Sequence, residues 1–130
     1  MKGYVTNLEK DTRENMLFRK VLYTAKHSQL VLMALQPGED IGMEVHELDQ
    51  FIRIESGAGK AILDNVEHEL SDGSCVLIPQ GTYHNIINTS DTVMHLYTVY
   101  SPAEHQDGII RETKQAAIDQ PEEFDGKTTE

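Results

Sequence analysis

Between Phe18 and Pro102 the chain alternates short apolar or half-apolar runs with turn residues, and no window repeats apolar positions at helical spacing over three turns. The runs are FRKVLYT, QLVLMALQ, DQFIRIES, GKAIL, VEHEL, SCVLIP, HNIIN and VMHLYTVY. They are rich in Val, Ile, Leu and Tyr and are bounded by PGED, ESGAG, LDN, SDGS and PQGT, which predicts the strands of a small all-β sandwich or barrel. Asp64 and Asn65 separate two such runs and both tolerate positive φ, so a tight hairpin is expected there. Residues 61–78 therefore predict strand, hairpin, strand, turn, strand.

The flanks differ. Residues 1–17 are polar with sparse apolar positions. Residues 103–130 hold a short helical pattern around Glu112 to Ile118, then the acidic tail DQPEEFDGKTTE, whose last ten or so residues are expected to be mobile. A chain of 130 residues suits one compact domain, 1–130, with a core at about 22–102 and a C-terminal extension at 103–130.

Composition narrows the function classes. The single cysteine, Cys75, excludes an intrachain disulfide and a cysteine-based zinc pattern, and a reducing compartment is expected. On its strand Cys75 is expected to be a small buried apolar group. The N-terminus has no apolar stretch of the secretory type, and the longest apolar run, LVLMAL, is far too short to span a bilayer, so a soluble cytoplasmic protein is expected. Eleven Lys plus Arg face 22 Asp plus Glu, for a formal charge of -11 without any basic stripe. Such a surface repels phosphate backbones and anionic membranes, so neither nucleic acid nor a membrane is an expected partner.

Candidate chemistry lies in GMEVHELDQF at 42–51, where Glu44 and His46, two apart in an extended segment, point the same way. Gln50 follows them, and alternation from Gln50 places Ile52 and Ile54 inward, with Phe51, Arg53 and Glu55 on the other face. A second polar group sits in GSCVLIPQGTYHNIIN at 73–88, which carries His84 and Asn88.

Taken together, Gly38, Glu44, His46, Gln50 and Gly57, then Gly73, Pro79, Gly81, His84 and Asn88, resemble the two motifs of the cupin superfamily over roughly residues 30–102. The second motif matches at every defining position. The resemblance implies a cupin double-stranded β-helix, a jelly-roll barrel of the RmlC-like kind, with one metal inside held from Glu44, His46, Gln50 and His84. Glutamate stands where the family's first histidine usually sits, and glutamine where its glutamate sits. Two imidazoles and one carboxylate remain, an inventory like that of non-haem iron sites. Gln50 can add a neutral carbonyl oxygen or bond a metal-bound water. The turn at Pro79 and Gly81 would aim His84, and Asn88 would hold the local backbone.

The resemblance further implies a homodimer, with Phe51 beside Arg53 on a subunit face or packed under the N-terminal segment, and a small-molecule ligand or substrate. One divalent transition metal is expected, with iron, manganese, zinc and nickel not distinguished. Oxygenase-like or sugar isomerase-like chemistry leads; the alternative is a module that binds a metal or small metabolite without turnover. Proton-transfer candidates are His68, alternating with Val66 and Leu70, His95, whose strand is apolar on both faces, and Tyr83; Tyr97 is a second tyrosine expected near the cavity mouth. His27 and His105 are expected at the surface.

Overall fold

The computed structural model describes residues 1–130. All eight apolar runs become strands: β1 (Arg19–Thr24), β2 (Gln29–Leu35), β3 (Asp49–Ser56), β4 (Gly59–Leu63), β5 (Val66–Leu70), β6 (Cys75–Ile78), β7 (His84–Asn88) and β8 (Met94–Ser101). A short β9 (Ile110–Arg111) and two helices, α1 (Leu8–Glu14) and α2 (Lys114–Asp119), complete the chain. The core sheet thus starts earlier than residue 22 and is extended beyond 102, because β9 pairs Arg111 with Arg19.

Six strands form one antiparallel sheet in the order β6-β3-β8-β2-β1-β9, and three form a second in the order β5-β4-β7. This is the two-sheet jelly-roll arrangement, with apolar inner faces packed on each other. In β8 the alternation is complete: Met94, Leu96, Thr98 and Tyr100 are buried while His95, Tyr97 and Val99 face outward. Ile52 and Ile54 point inward as expected, each fully buried. Phe51 lies on the outer face, its ring 6.2 Å from that of Tyr97. No helix is long and apolar enough to cross a membrane.

Two tight places depend on residue type. Asp64 and Asn65 carry φ of 45° and 70°, the double positive turn expected between β4 and β5. At Gly59 an added Cβ would stand 2.1 Å from the Ile87 carbonyl oxygen, so the β4–β7 approach admits only glycine. Asn88 acts as a backbone brace: its amide donates to the carbonyls of Leu35, Gln36 and Thr92 and its oxygen accepts from Ser90.

One element lies outside the sequence expectations, and three expectations need correction. The polar N-terminus contains α1, capped by the Asn7 side chain accepting from Lys10 N, and its one buried residue is Thr12; a seven-residue helix with so small an apolar face carries no periodic signal. Cys75 is exposed, because β6 is an edge strand and Cys75 points outward between buried neighbours on the other face. The acidic tail is not loose: Thr129 N donates to Thr24 O at 2.9 Å, Phe124 N donates to Glu104 O at 2.9 Å, and Glu130 bonds Tyr23 and the backbone of Lys2. His105 is buried at 6 % exposure, against the expected surface position.

Candidate metal centre

The segment between β2 and β3 runs along β7 and brings Glu44 opposite His84. Glu44 N donates to His84 O at 2.8 Å and His84 N to Glu44 O at 2.9 Å, an isolated antiparallel bridge that puts both side chains on one face. The segment is held at three further points. Gly42 N donates to Asn85 Oδ1, the Asn85 amide donates to Asp40, and Lys114 pairs with Asp40. Gly81, at φ 84° in the turn before β7, donates its N–H to His46 O at 3.0 Å. The Pro79–Gly81 turn therefore fixes His46 as well as delivering His84.

Glu44, His46 and His84 converge, with one donor atom from each lying within 4.8 Å of the others. Glu44 Oε2 is 3.0 Å from His46 Nε2 and 4.0 Å from His84 Nε2. Each imidazole presents Nε2 to the cluster and turns Nδ1 to an acceptor behind it. His84 Nδ1 donates to the Thr82 carbonyl at 2.9 Å, and His46 Nδ1 lies 3.6 Å from Glu104 Oε2. A carboxylate or carbonyl behind each ring is the support that fixes tautomer and orientation in metal-bound histidines.

Burial pushes the Glu44 carboxyl upward, but the hydrogen bond from His46 and the charges of His46, His84 and Arg19 outweigh it and hold it below its usual range. For His46, burial works downward, and the Glu44 hydrogen bond with the Glu104 and Glu44 charges overcomes it and raises the imidazole above its usual value. Burial pushes the Glu104 carboxyl up.

Two buried atoms at this end of the barrel have no partner in the protein: His84 Nε2 and Gln50 Oε1. Gln50 is 3 % exposed and its Nε2 donates to Thr98 Oγ1 at 3.0 Å, which leaves the carbonyl oxygen free. Orphaned buried acceptors are costly, and a cation satisfies such groups. The donor set of two imidazole Nε2 atoms and one carboxylate fits a divalent transition metal.

The other sequence candidates stand apart. His95 points outward from β8 and its Nδ1 meets Asn15 O at 2.9 Å, because the second apolar face of that strand is covered by the N-terminal segment. His68 shares a face with Ala61 across the β4–β5 ladder, yet it is solvent-exposed on an edge strand that nothing covers. Tyr83 is 59 % exposed and Tyr97 lies against Phe51 on the outer face, the rings tilted at 40°. His27 is exposed, as expected.

The tyrosine that does reach the centre is Tyr100, 3 % exposed, its ring edge-on to His46 at 6.0 Å. Tyr100 OH lies 3.4 Å from His105 Nε2, and His105 Nδ1 lies 2.7 Å from Glu122 Oε1. Burial, then the Glu44 charge, raises the Tyr100 phenol far above its usual value, so it stays protonated. Strand parity running from Leu96 through Thr98 finds Tyr100. Nothing periodic announces Glu104, His105 or Glu122, which lie beyond the last long strand.

Comparison with known proteins agrees with the fold. A family model described as the cupin domain matches residues 31–100. The uncharacterized protein YrkC of Bacillus subtilis is 42% identical over 124 residues, covering 90% of this chain and 67% of its own. A crystal structure from Bacillus halodurans is 41% identical with a TM-score of 0.89, covering 92% of this chain and 96% of that one. An RmlC-like cupin from Shewanella frigidimarina shares the fold at 21% identity and a TM-score of 0.61, over 65% of this chain and 75% of that one.

Proposed function

The chain belongs to the cupin family, and from that premise we propose that it holds one divalent transition metal through Glu44, His46 and His84, with Gln50 as a weak fourth donor, and acts there on a small organic molecule. The observation that carries this reading is the matched orientation of the two imidazoles. Both turn Nε2 inward, His84 anchors Nδ1 on the Thr82 carbonyl while His46 Nδ1 faces Glu104 at 3.6 Å, and in His84 the inward nitrogen is buried with no protein partner.

Bound there, the metal would supply a Lewis-acid or redox centre, the basis of oxygenase-like or isomerase-like reactions. The chain's own contributions follow from its contacts. Ile52, fully buried two residues along from Gln50 on the same face of β3, keeps water from that side of the site. Thr98 holds the Gln50 amide, and Glu104 orients His46. Tyr100 keeps its phenolic proton beside the ligands, braced by His105 and Glu122.

Metal analysis of the untagged protein tests the assignment: about one equivalent of a divalent transition metal in the wild type, and loss of it in His46→Ala combined with His84→Ala. A wild type that takes up no metal, or a double variant with unchanged content, overturns it.

A further inference from the structure

The segment that carries Glu44 runs antiparallel beside β7, and its pairing changes register on the way. Asp40 stands opposite Ile87, while Glu44 stands opposite His84. Four steps along the first chain are thus matched by three along β7, so the 40–44 segment holds one extra residue, which makes a β-bulge. Continued without it, the pairing at Asp40 would set Met43 opposite His84 and turn Glu44 to the other face, because a slip of one residue exchanges the faces of all the side chains. Instead Met43 is exposed and Glu44 meets the two imidazoles.

The extra residue falls at 42–43. Ile41 N still donates to Ile86 O at 3.0 Å, and Glu44 and His84 exchange both backbone bonds, so the ladder holds on either side. Between them Gly42 takes a φ of 112°, a conformation that favours glycine. Its N–H goes to Asn85 Oδ1 at 2.9 Å. His84, Ile86 and Asn88 turn backbone groups toward this segment, and Asn85 between them has only its side chain to offer. That side chain is itself fixed, on the face of β7 opposite His84. Asn85 is buried, its amide donates to Asp40 Oδ2 at 2.9 Å, and the Lys114 ammonium of α2 pairs with Asp40. The bonds from Lys114 and Asn85 hold the Asp40 carboxyl below its usual range, so it is ionised at neutral pH.

We propose that Asn85, locked by Asp40 and Lys114, is a positioning residue of the site: its side-chain oxygen closes the bulge at Gly42 and so sets the register that delivers Glu44, in place of Met43, to His46 and His84. Through Lys114, α2 acts on the donor cluster from the far face of β7. The inference rests on the metal reading above and adds to it what places the carboxylate.

The test follows the full chain by two readouts, cobalt(II) affinity from the ion's absorption bands and amide hydrogen exchange of the metal-free protein. Asn85→Leu removes the oxygen and keeps the bulk. It should bind cobalt(II) at least about tenfold more weakly and exchange the Gly42 and Glu44 amides at least about tenfold faster, with the amides of β3 and β8 unchanged. Asp40→Asn combined with Asn85→Asp keeps an oxygen for Gly42, an amide donor between the pair and a carbonyl for Lys114. This exchanged pair should return both readouts to within about threefold of wild type. If Asn85→Leu does not fold, Asp40→Ala, at a partly exposed position, decides the matter, with changes of at least about threefold in both readouts. Unchanged affinity and exchange in the deciding variant, an exchanged pair as impaired as Asn85→Leu, or faster exchange spread evenly over both sheets overturns the proposal. A wild type that takes up no cobalt(II) overturns the metal reading instead, and the exchange rates alone then decide the Asn85 assignment.

Discussion

The Nδ1–H of His84 is spent on the Thr82 carbonyl at 2.9 Å, so Nε2 faces the site of Glu44 buried and unpartnered. An atom in that state stabilises nothing in the metal-free protein. His84→Leu should therefore lower metal-free stability by only about 0.5–1.5 kcal/mol, the worth of the lost Nδ1–H bond to Thr82, because the inward nitrogen contributes nothing. The same substitution should abolish the rise in melting temperature that added metal produces, a rise worth about 4 kcal/mol at a thousandfold excess over Kd. Differential scanning calorimetry with and without metal measures both; an undiminished metal-dependent rise in the variant contradicts the assignment.

Gln50 offers the sharpest probe of the fourth position. Its amide is committed to Thr98, and only Oε1 is free. Gln50→Glu would place a second carboxylate at a 3 % exposed position. Without metal that buried charge should destabilise the fold by about 2 kcal/mol or more. With metal, affinity should rise at least about tenfold, since the carboxylate is the stronger ligand. Competition with a chelating indicator reads the affinity, and equal values for wild type and variant would remove Gln50 from the coordination shell.

Glu122 ties the C-terminal extension to the barrel and sets a pH dependence. Burial raises its carboxyl, but the His105 hydrogen bond and charge, with Arg19, more than offset this and lower it below the usual range. A folded value below the unfolded one, about 4.3, gives stabilisation that is full above the unfolded value and lost as pH falls through the folded one. Glu122→Gln should thus be less stable than wild type by about 1–3 kcal/mol near pH 7, where a charged hydrogen bond is lost. The gap between the two melting curves should close as the pH drops below about 4.3. A gap that persists unchanged at low pH would mean that the ionised carboxylate contributes nothing.

Gly59 tests the packing of the smaller sheet. A Cβ there meets Ile87 O at 2.1 Å and the Met94 methyl at 2.5 Å. Relieving the backbone contact requires β4 to separate from β7, the strand that begins with His84. Gly59→Ala should cost about 3 kcal/mol and weaken metal binding together. Gly73, with nothing near its Cβ position, is the control for space, although its φ of 85° carries its own strain. A Gly59→Ala protein as stable as wild type would contradict the described β4–β7 approach.

The strands were legible because apolar residues recur at period two on their inner faces, as in Ile52 and Ile54 or Met94 and Leu96. Three candidate ligand positions were legible for a different reason. Glu44, His46 and His84 sit at motif spacings that the Gly81 turn and the Glu44–His84 bridge turn into proximity. His95 misled because α1, invisible to periodicity, covers the face on which it lies, so both faces of its strand read as interior. His68 misled because parity says which face a side chain takes, and says nothing of whether anything covers that face. The support from Glu104, His105 and Glu122 was hidden, since it depends on where an irregular segment folds back, and contacts such as Thr129 with Thr24 leave no pattern in the chain.

The most direct test of the account is anomalous diffraction from crystals of the metal-loaded protein, collected on either side of the metal's absorption edge. The account predicts one peak inside the barrel, about 2.0–2.2 Å from a Glu44 carboxylate oxygen, His46 Nε2 and His84 Nε2. A peak bound through Nδ1 of either histidine, a peak away from these three residues, or no peak in fully loaded crystals would contradict it.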